Sequence, residues 1–155
     1  MTVQKKINIQ NKKARFEYEI LDKFVAGIQL TGTEIKSIRN SQARITESFC
    51  EFNERGELFI VNMYIQEYMF GHHFNHKPKS ERRLLLNKRE LRSLKKDVEA
   101  KGNTIVPLRL FINDRGFAKL EIALAKGKQT HDKRNVLKDR DNKRDLARIK
   151  KSYNA

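Results

Sequence analysis

The chain has 155 residues, with 34 Lys and Arg against 19 Asp and Glu, which gives a formal net charge of +15. This length suits one compact domain with short extensions, and the excess of positive charge favours nucleic acid as the partner. A membrane protein is disfavoured, because no apolar run approaches the roughly 20 residues that span a bilayer. The first residues include no apolar signal segment, and the single Cys50 excludes an internal disulfide, so we expect a cytoplasmic protein.

The first third of the chain predicts strands followed by a short helix. Phe16, Tyr18 and Ile20 alternate with charged residues, which is the pattern of a half-buried strand. A second strand is predicted over 24–30. A short helix is predicted over 34–39, where two isoleucines share one face.

A repeated turn pattern predicts two hairpins. In each, a four-residue turn starts with Asn and ends with a glycine, Gly56 or Gly116, that can adopt the left-handed conformation of a bulged hairpin. The predicted strands are 47–52 and 57–65 in the first hairpin and 104–112 and 117–125 in the second.

One longer helix is predicted after Asn87. Asn87 and Glu90 form a variant capping box, and Leu91, Leu94 and Val98 form an apolar stripe. About six antiparallel strands with a helix inserted between two hairpins indicate a mainly β, α+β fold. We expect a small closed antiparallel barrel of the oligonucleotide-binding type, which hides its strand edges.

The densest positive charge of the barrel segment lies around this helix. Its nine cations are Lys77, Lys79, Arg82, Arg83, Lys88, Arg89, Arg92, Lys95 and Lys96. Because the apolar stripe fixes the opposite helix face inward, we expect these charges to point outward together and to contact phosphate; a solvated face is the alternative. Four aromatic residues just upstream either stack on bases or belong to the core: Tyr64, Tyr68, Phe70 and Phe74.

The histidine-rich loop gives only a weak signal for chemistry. His72, His73 and His76 have no CxxC motif or fourth ligand beside them, so metal binding is disfavoured, and these histidines either contact RNA or are solvated. No motif places a nucleophile beside a base, so we expect no catalytic residue, no metal and no cofactor. Glu34 either orients neighbouring basic groups, accepts a hydrogen bond from a base edge, or only stabilises the helix start.

The C-terminal segment 125–155 holds 11 Lys and Arg and 4 Asp, a net charge of +7, with few large apolar residues. It buries too little apolar surface to offset the cost of ordering, roughly 1–2 kcal/mol per residue. We therefore predict a basic N-terminal arm at 1–13, a barrel at 14–125, and a basic tail at 126–155 that is disordered when free and helical with an anionic partner.

Four segments carry a resemblance to a known family. They read LTGTEIKSIR at 30–39, NH at 75–76, RLLLNKREL at 83–91, and AKGK at 125–128 followed by HDKR at 131–134. In this order and spacing, from Ala14 to Lys151, they resemble the small protein B family, the SsrA-binding proteins of bacteria.

The resemblance implies an RNA adaptor of trans-translation. In that family an oligonucleotide-binding barrel binds the tRNA-like domain of transfer-messenger RNA and brings it to ribosomes stalled without a stop codon. The barrel binds the RNA elbow and occupies the position that a codon–anticodon stem would have. The tail becomes helical in the vacant messenger channel. The implied partners are transfer-messenger RNA, small-subunit ribosomal RNA near the decoding site and messenger channel, and the elongation factor that carries aminoacylated transfer-messenger RNA. We expect a monomer.

The resemblance also selects site residues. On the barrel, the matched segments contribute Glu34, Lys36, Arg39, Asn75, His76, Leu85 and Asn87, and the basic stretch adds Arg83 and Lys88. In the tail, they contribute Gly127, Lys128, His131, Asp132, Lys133 and Arg134, and the tail charge adds Lys138, Arg140, Lys143 and Arg144. Two departures from the family add positive character: Val25, where relatives often have Glu, and Lys77, where an Asp commonly precedes the proline.

Two other functions are alternatives. One is a general single-stranded RNA-binding barrel, such as a ribosome-assembly factor, whose bound RNAs would show no preference for a tRNA-like fold. The other is a metal-dependent nuclease that uses the histidine loop.

Overall fold

The computed structural model of the chain describes residues 6–100 and 102–128, and only the backbone at position 72. In chain order the elements are β1 (Asn8–Gln10), α1 (Lys12–Glu17), β2 (Tyr18–Ile28), α2 (Gly32–Arg39), β3 (Ala43–Arg44), β4 (Phe49–Phe52), β5 (Leu58–Val61), β6 (Tyr64–Ile65), a 3-10 turn (His72–Phe74), β7 (Arg82–Leu85), α3 (Lys88–Glu99), β8 (Asn103–Ile112) and β9 (Ala118–Gly127). Strands dominate, which confirms the predicted mainly β, α+β class. Over the two described ranges, no helix has the length and apolar character needed to cross a bilayer.

The main sheet closes on itself. Its strand order is β1-β8-β4-β5-β7-β2-β9, and β9 also pairs with β8, so six strands form an antiparallel ring. β8 takes part in three pairings, with β4 near its start, with β1 near its end, and with β9 along its length. The predicted closed antiparallel sheet is confirmed, and closure removes the free edges of the ring strands.

The two predicted hairpins are present, and their turns have the expected geometry. Gly56 and Gly116 have φ angles of 79° and 86°, the left-handed region that glycine tolerates without steric cost. The side-chain oxygens of Asn53 and Asn113 each accept two backbone N–H groups from their own turn. The first hairpin is shorter than predicted, because Asn62 follows β5 with a φ of 64° and breaks the extended backbone.

The core fills the ring, and α2 and α3 pack against it. Ile38 of α2 and Leu94 of α3 are fully buried in the same cluster as the inward residues of the sheet, among them Ile60 and Leu120. The apolar stripe predicted on α3 is therefore its packing face, which contacts β8 and β9. This packing leaves the cationic side of α3 toward solvent.

The start of the chain differs from the prediction. A helix, α1, replaces the strand expected at Phe16, and the two strands predicted over the following residues are one continuous strand, β2. Ala14 of α1 packs in a second small cluster on the outer face of β8 and β9, which is why the chain is helical there. The barrel begins before residue 14, because β1 pairs with β8 and Ile7 is buried.

Candidate RNA interface

The predicted barrel residues form two groups that meet at the N-terminal end of β7. One group lies on α2 and the loop before β7, and the other runs from β7 into α3. The exposed predicted residues are Lys36, Arg39, Arg83, Leu85, Asn87 and Lys88; Asn75 is half-buried, and Glu34 and His76 are buried.

Glu34 is buried and both of its carboxylate oxygens are used inside the protein. One oxygen accepts the backbone N–H of Thr31 at 2.9 Å, as half of a capping box that begins α2. The other forms an ion pair with Arg82. This geometry supports the interpretation that Glu34 stabilises the helix start and orients a basic group, and it leaves no oxygen facing a base edge.

Arg82 corrects the expectation that all nine cations point outward. It is buried, because β7 alternates and places Arg82 and Leu84 on the inner side of the sheet. Its guanidinium donates to the carbonyl oxygens of Met63 at 2.7 Å, Pro78 at 3.0 Å and Lys77 at 3.2 Å. Through Arg82, helix α2 and the loop before β7 are joined into one unit.

Asn75 and His76 hold the same loop. The Asn75 amide donates to the Tyr68 carbonyl at 2.7 Å, and its oxygen accepts the Tyr68 backbone N–H at 3.0 Å. In the His76 ring, Nε2 donates to the carbonyl of Ile65 at 3.0 Å, and Nδ1 lies 2.9 Å from the Thr33 hydroxyl oxygen. The polar groups of these predicted contact residues are therefore engaged in fixing the loop, and the residues around them face solvent.

The aromatic residues of this loop are exposed, so the alternative that they belong to the core is wrong for two of them. Phe74 is 91% exposed, Phe70 67% and Met69 78%. Tyr68 is half-buried, with its ring edge-to-face on Phe70 at 5.7 Å between centroids. Water contact with so much apolar surface is unfavourable, which marks the loop tip as a contact surface.

A shallow hollow of about 600 Å³ is formed by β6, the loop that follows it, and Gln42, which lies just after α2. Two tyrosines, two glutamines and an acid are among its lining residues, namely Tyr64, Tyr68, Gln42, Gln66 and Glu67. The ammonium nitrogen of Lys36 lies 5.4 Å from the centroid of the Tyr68 ring, and the Arg44 guanidinium lies 4.9 Å from that of Tyr64. The hollow thus combines ring faces, hydrogen-bonding side chains and positive charge.

The second group presents an apolar patch beside cations. Leu85 is half exposed on the outer face of β7, next to Gly27 of β2, where an added Cβ would lie 3.4 Å from the Leu85 Cβ. Asn87 caps α3, because its side-chain oxygen accepts the N–H of Glu90 at 2.8 Å. Arg83 forms a half-exposed ion pair with a glutamate of the β4–β5 turn.

Helix α3 presents the positive face that its pattern predicted. Its five cations, Lys88, Arg89, Arg92, Lys95 and Lys96, are all exposed, and none forms an ion pair with the residues that the structure describes. Free cations on one helix face are available to phosphate groups.

Apart from His72, whose side chain the structure does not describe, the residues considered for metal chemistry do not form a ligand cluster. Within 6–100 and 102–128, no three His, Cys, Asp or Glu side chains are grouped as metal ligands would be. Cys50 lies in the core, where burial raises the pKa of its thiol and disfavours the thiolate that binds metal.

The first three residues of the predicted tail, 126–128, belong to the folded part. Gly127 ends β9 opposite Tyr18, and the backbone N–H of Lys128 donates to the carbonyl of Glu17 at 3.0 Å. The folded part therefore ends beside α1, three residues later than predicted. The other predicted tail residues lie outside the described residues: His131, Asp132, Lys133, Arg134, Lys138, Arg140, Lys143 and Arg144.

Comparisons with known proteins agree with the family that the sequence resembles. The family model described as SmpB protein matches residues 8–152. The SsrA-binding protein of Flavobacterium psychrophilum is 66% identical over 149 residues, which are 96% of this chain and 99% of that protein. That of Brucella anthropi is 53% identical over 145 residues, 94% of this chain and 91% of the relative. A solved structure described as "tmRNA-SmpB: a journey to the center of the bacterial ribosome" has a TM-score of 0.67 and 47% identity, and covers 80% of this chain and 86% of its own. With matches along nearly its whole length, this chain belongs to the SmpB family, the SsrA-binding proteins of bacteria.

Proposed function

We propose that this chain is an RNA-binding adaptor that binds the tRNA-like domain of transfer-messenger RNA and delivers it to stalled ribosomes for trans-translation. The observation that carries the proposal is the family membership, together with relatives named for SsrA binding and a solved structure described as tmRNA-SmpB in the bacterial ribosome. The activity is binding, so it needs positioned cations and ring faces and no reacting group. It takes place in the cytoplasm.

The exposed cations of the barrel supply the affinity for the RNA backbone. Lys36 and Arg39 lie on one exposed side of α2, and five more cations lie on α3. Each phosphate contact releases a counterion and steepens the fall of log affinity with log salt by about 0.7–0.9. Binding by this surface should therefore weaken steeply as the salt concentration rises.

The tail provides the ribosomal step. A segment with a net charge of +7 is attracted to a messenger channel walled by ribosomal RNA, and only an empty channel admits it. Its starting point is fixed, because the Lys128 backbone is bonded to α1. The elongation factor that carries aminoacylated transfer-messenger RNA is a further partner of the proposed complex.

A truncation separates the two parts. Ending the chain after Lys128 keeps all of β9, so we expect binding to transfer-messenger RNA to remain and peptide tagging in a reconstituted translation system to be lost. Loss of both activities together would contradict this division. Sequencing the RNA that co-purifies with the full chain tests the partner itself, because a general RNA-binding barrel would retain no excess of transfer-messenger RNA.

Charge reversal tests the tail in the full-length chain. Replacing Lys133 and Arg134 with Glu should lower the tagging rate, and the defect should deepen as salt weakens the remaining contacts. Replacing Arg55 and Arg115, which are exposed in the two hairpin turns, with Glu is the matched control, because it makes the same change of charge outside the tail. An unchanged tagging rate in the tail variant would refute the channel role.

A further inference from the structure

The hollow is lined by two tyrosines, and a cation lies over the ring of each. Tyr64 and Tyr68 both line it, and Arg44 and Lys36 lie 4.9 Å and 5.4 Å from their respective ring centroids. Unpaired bases of RNA stack on aromatic rings, and positive charge in the same groove attracts the RNA backbone. The pairing of ring and cation occurs twice across one hollow.

The hollow also holds groups that match the edges of a base. The side chains of Gln42 and Gln66 line it, and each amide can donate and accept hydrogen bonds at once. Among the described residues, neither side-chain amide forms a hydrogen bond. The hydrogen bond between Gln66 and Gln42 joins backbone groups only. Their hydrogen-bonding capacity is therefore open to a ligand.

The wall of the hollow is held in place before any ligand arrives. Asn75 fixes both backbone groups of Tyr68, and Arg82 binds the carbonyls of Lys77 and Pro78. Gly71 is required for this arrangement, because a Cβ there would lie 2.6 Å from the Asn75 amide nitrogen. These hydrogen bonds anchor both ends of the loop, and a site that is ordered in advance loses less entropy on binding.

The charge around the hollow favours RNA over an acidic protein segment or a second copy of the chain. The exposed Lys36 lies over the ring of Tyr68 and Arg44 lies over that of Tyr64, while Glu67 is the acidic residue among the lining side chains. Its volume of about 600 Å³ lies within the roughly 300–1,000 Å³ typical of sites for small ligands. Two aromatic rings and two amides in one lining suit a base better than an aliphatic side chain.

We propose that this hollow binds an unpaired nucleobase of the tRNA-like domain of transfer-messenger RNA, with the base stacked on Tyr68 and its edge contacted by Gln42 and Gln66. The proposal rests on the proposed function for the identity of the RNA. It adds a site that reads an extruded base, whereas the cations of α2 and α3 contact the backbone. Phe70 and Phe74, exposed at the loop tip, extend the stacking surface beyond the hollow.

The test compares variants of one ring. Tyr68→Leu removes the ring face, and Tyr68→Phe keeps it and loses only the hydroxyl. Phe117→Leu removes an aromatic ring that is 64% exposed at the β8–β9 turn, outside the hollow, so it is the control for loss of a surface ring elsewhere. We expect Tyr68→Leu to weaken binding to the isolated tRNA-like domain by roughly 5- to 150-fold, the effect of losing one stacked base, and the other two variants to bind like the parent chain.

Two further readouts separate stacking from a change in folding or charge. The slope of log affinity against log salt should be unchanged in Tyr68→Leu, because a stacked base releases no counterions. Chemical probing of the RNA bases should show one or two unpaired bases protected by the parent chain and by Tyr68→Phe, and unprotected with Tyr68→Leu, while the backbone footprint stays the same.

The outcomes distinguish this inference from the proposed function. Preference of the parent chain for the tRNA-like domain over a hairpin RNA of equal length tests the proposed function alone. If that preference is present and Tyr68→Leu binds with the parent affinity, the inference is overturned and the proposed function stands. Protection of a ribosomal RNA base, with none in transfer-messenger RNA, would also overturn it.

Discussion

Removal of the Glu34 carboxylate is expected to destabilise the whole domain. In Glu34→Ala the guanidinium of Arg82 stays buried with its three carbonyl partners and loses its counter-charge. Breaking a buried ion pair from one side typically costs about 3–5 kcal/mol, because the remaining charge is uncompensated. The backbone N–H of Thr31 also loses its acceptor in the capping box, so the upper part of this range applies.

The measurement is equilibrium unfolding in urea followed by far-ultraviolet circular dichroism. For a slope of about 1.5–2 kcal/mol per molar urea, a loss of about 4 kcal/mol lowers the midpoint by about 2–2.7 M. Glu57→Ala is the control, since Glu57 pairs with Arg83, which is half exposed, and such pairs contribute about 0–1 kcal/mol. Equal midpoints for the two variants would refute the assigned role of the buried pair. Glu34→Gln, which keeps one acceptor oxygen and loses the charge, should fall between them.

Three further predictions concern the cap, the cationic helix and the loop. Asn87→Ala should lower the free energy of unfolding by about 0.5–2 kcal/mol through loss of the α3 cap, measured in the same urea assay, and no change would remove the cap as the role of Asn87. Lys88→Gln should make the slope of log affinity against log salt shallower by about 0.7–0.9, because one phosphate contact is lost. The affinity is measured at salt concentrations from roughly 50 to 200 mM. An unchanged slope would exclude a contact between Lys88 and phosphate. Gly71→Ala should displace the Asn75 amide and make the loop more sensitive to limited proteolysis, whereas Gly32→Ala, with no atom within 4 Å of the added Cβ, should digest like the parent.

Local signals predicted much of the fold. The glycine turns at Gly56 and Gly116 specify their backbone conformation in the sequence itself, and the cap at Asn87 followed by an apolar stripe specifies α3. The start of the chain was predicted wrongly because the alternation around Phe16 is too short to distinguish a strand from a helix that leads into one. In the fold, Ala14 of this helix packs against β8 and β9, which are distant from it in sequence, so the pattern around Phe16 contains no sign of this contact.

The candidate site was harder to predict, because burial is not visible in a charge pattern. Arg82 was predicted to point outward with the other cations of its basic stretch. Its spacing of two residues from Leu84 in β7 is the signal that could have placed it on the inner face. Arg44 carried no signal of its own, since its position over Tyr64 depends on the β3–β6 pairing. The exposure of Phe70 and Phe74 depends on the hydrogen bonds that hold the loop, and no property of the two aromatic residues themselves indicates it.

In the segments by which the family is recognised, several residues hold the structure in place rather than contact RNA directly. Glu34, Asn75, His76 and Asn87 all use their side chains to hold backbone groups or buried partners of this chain. Such residues fix where their neighbours stand, because each exposed cation or ring is attached to a backbone that they immobilise. Variants at these four positions should therefore lower stability together with RNA affinity, whereas variants at their exposed neighbours should lower RNA affinity at constant stability. A set of urea midpoints and affinities measured on the same proteins separates the two classes.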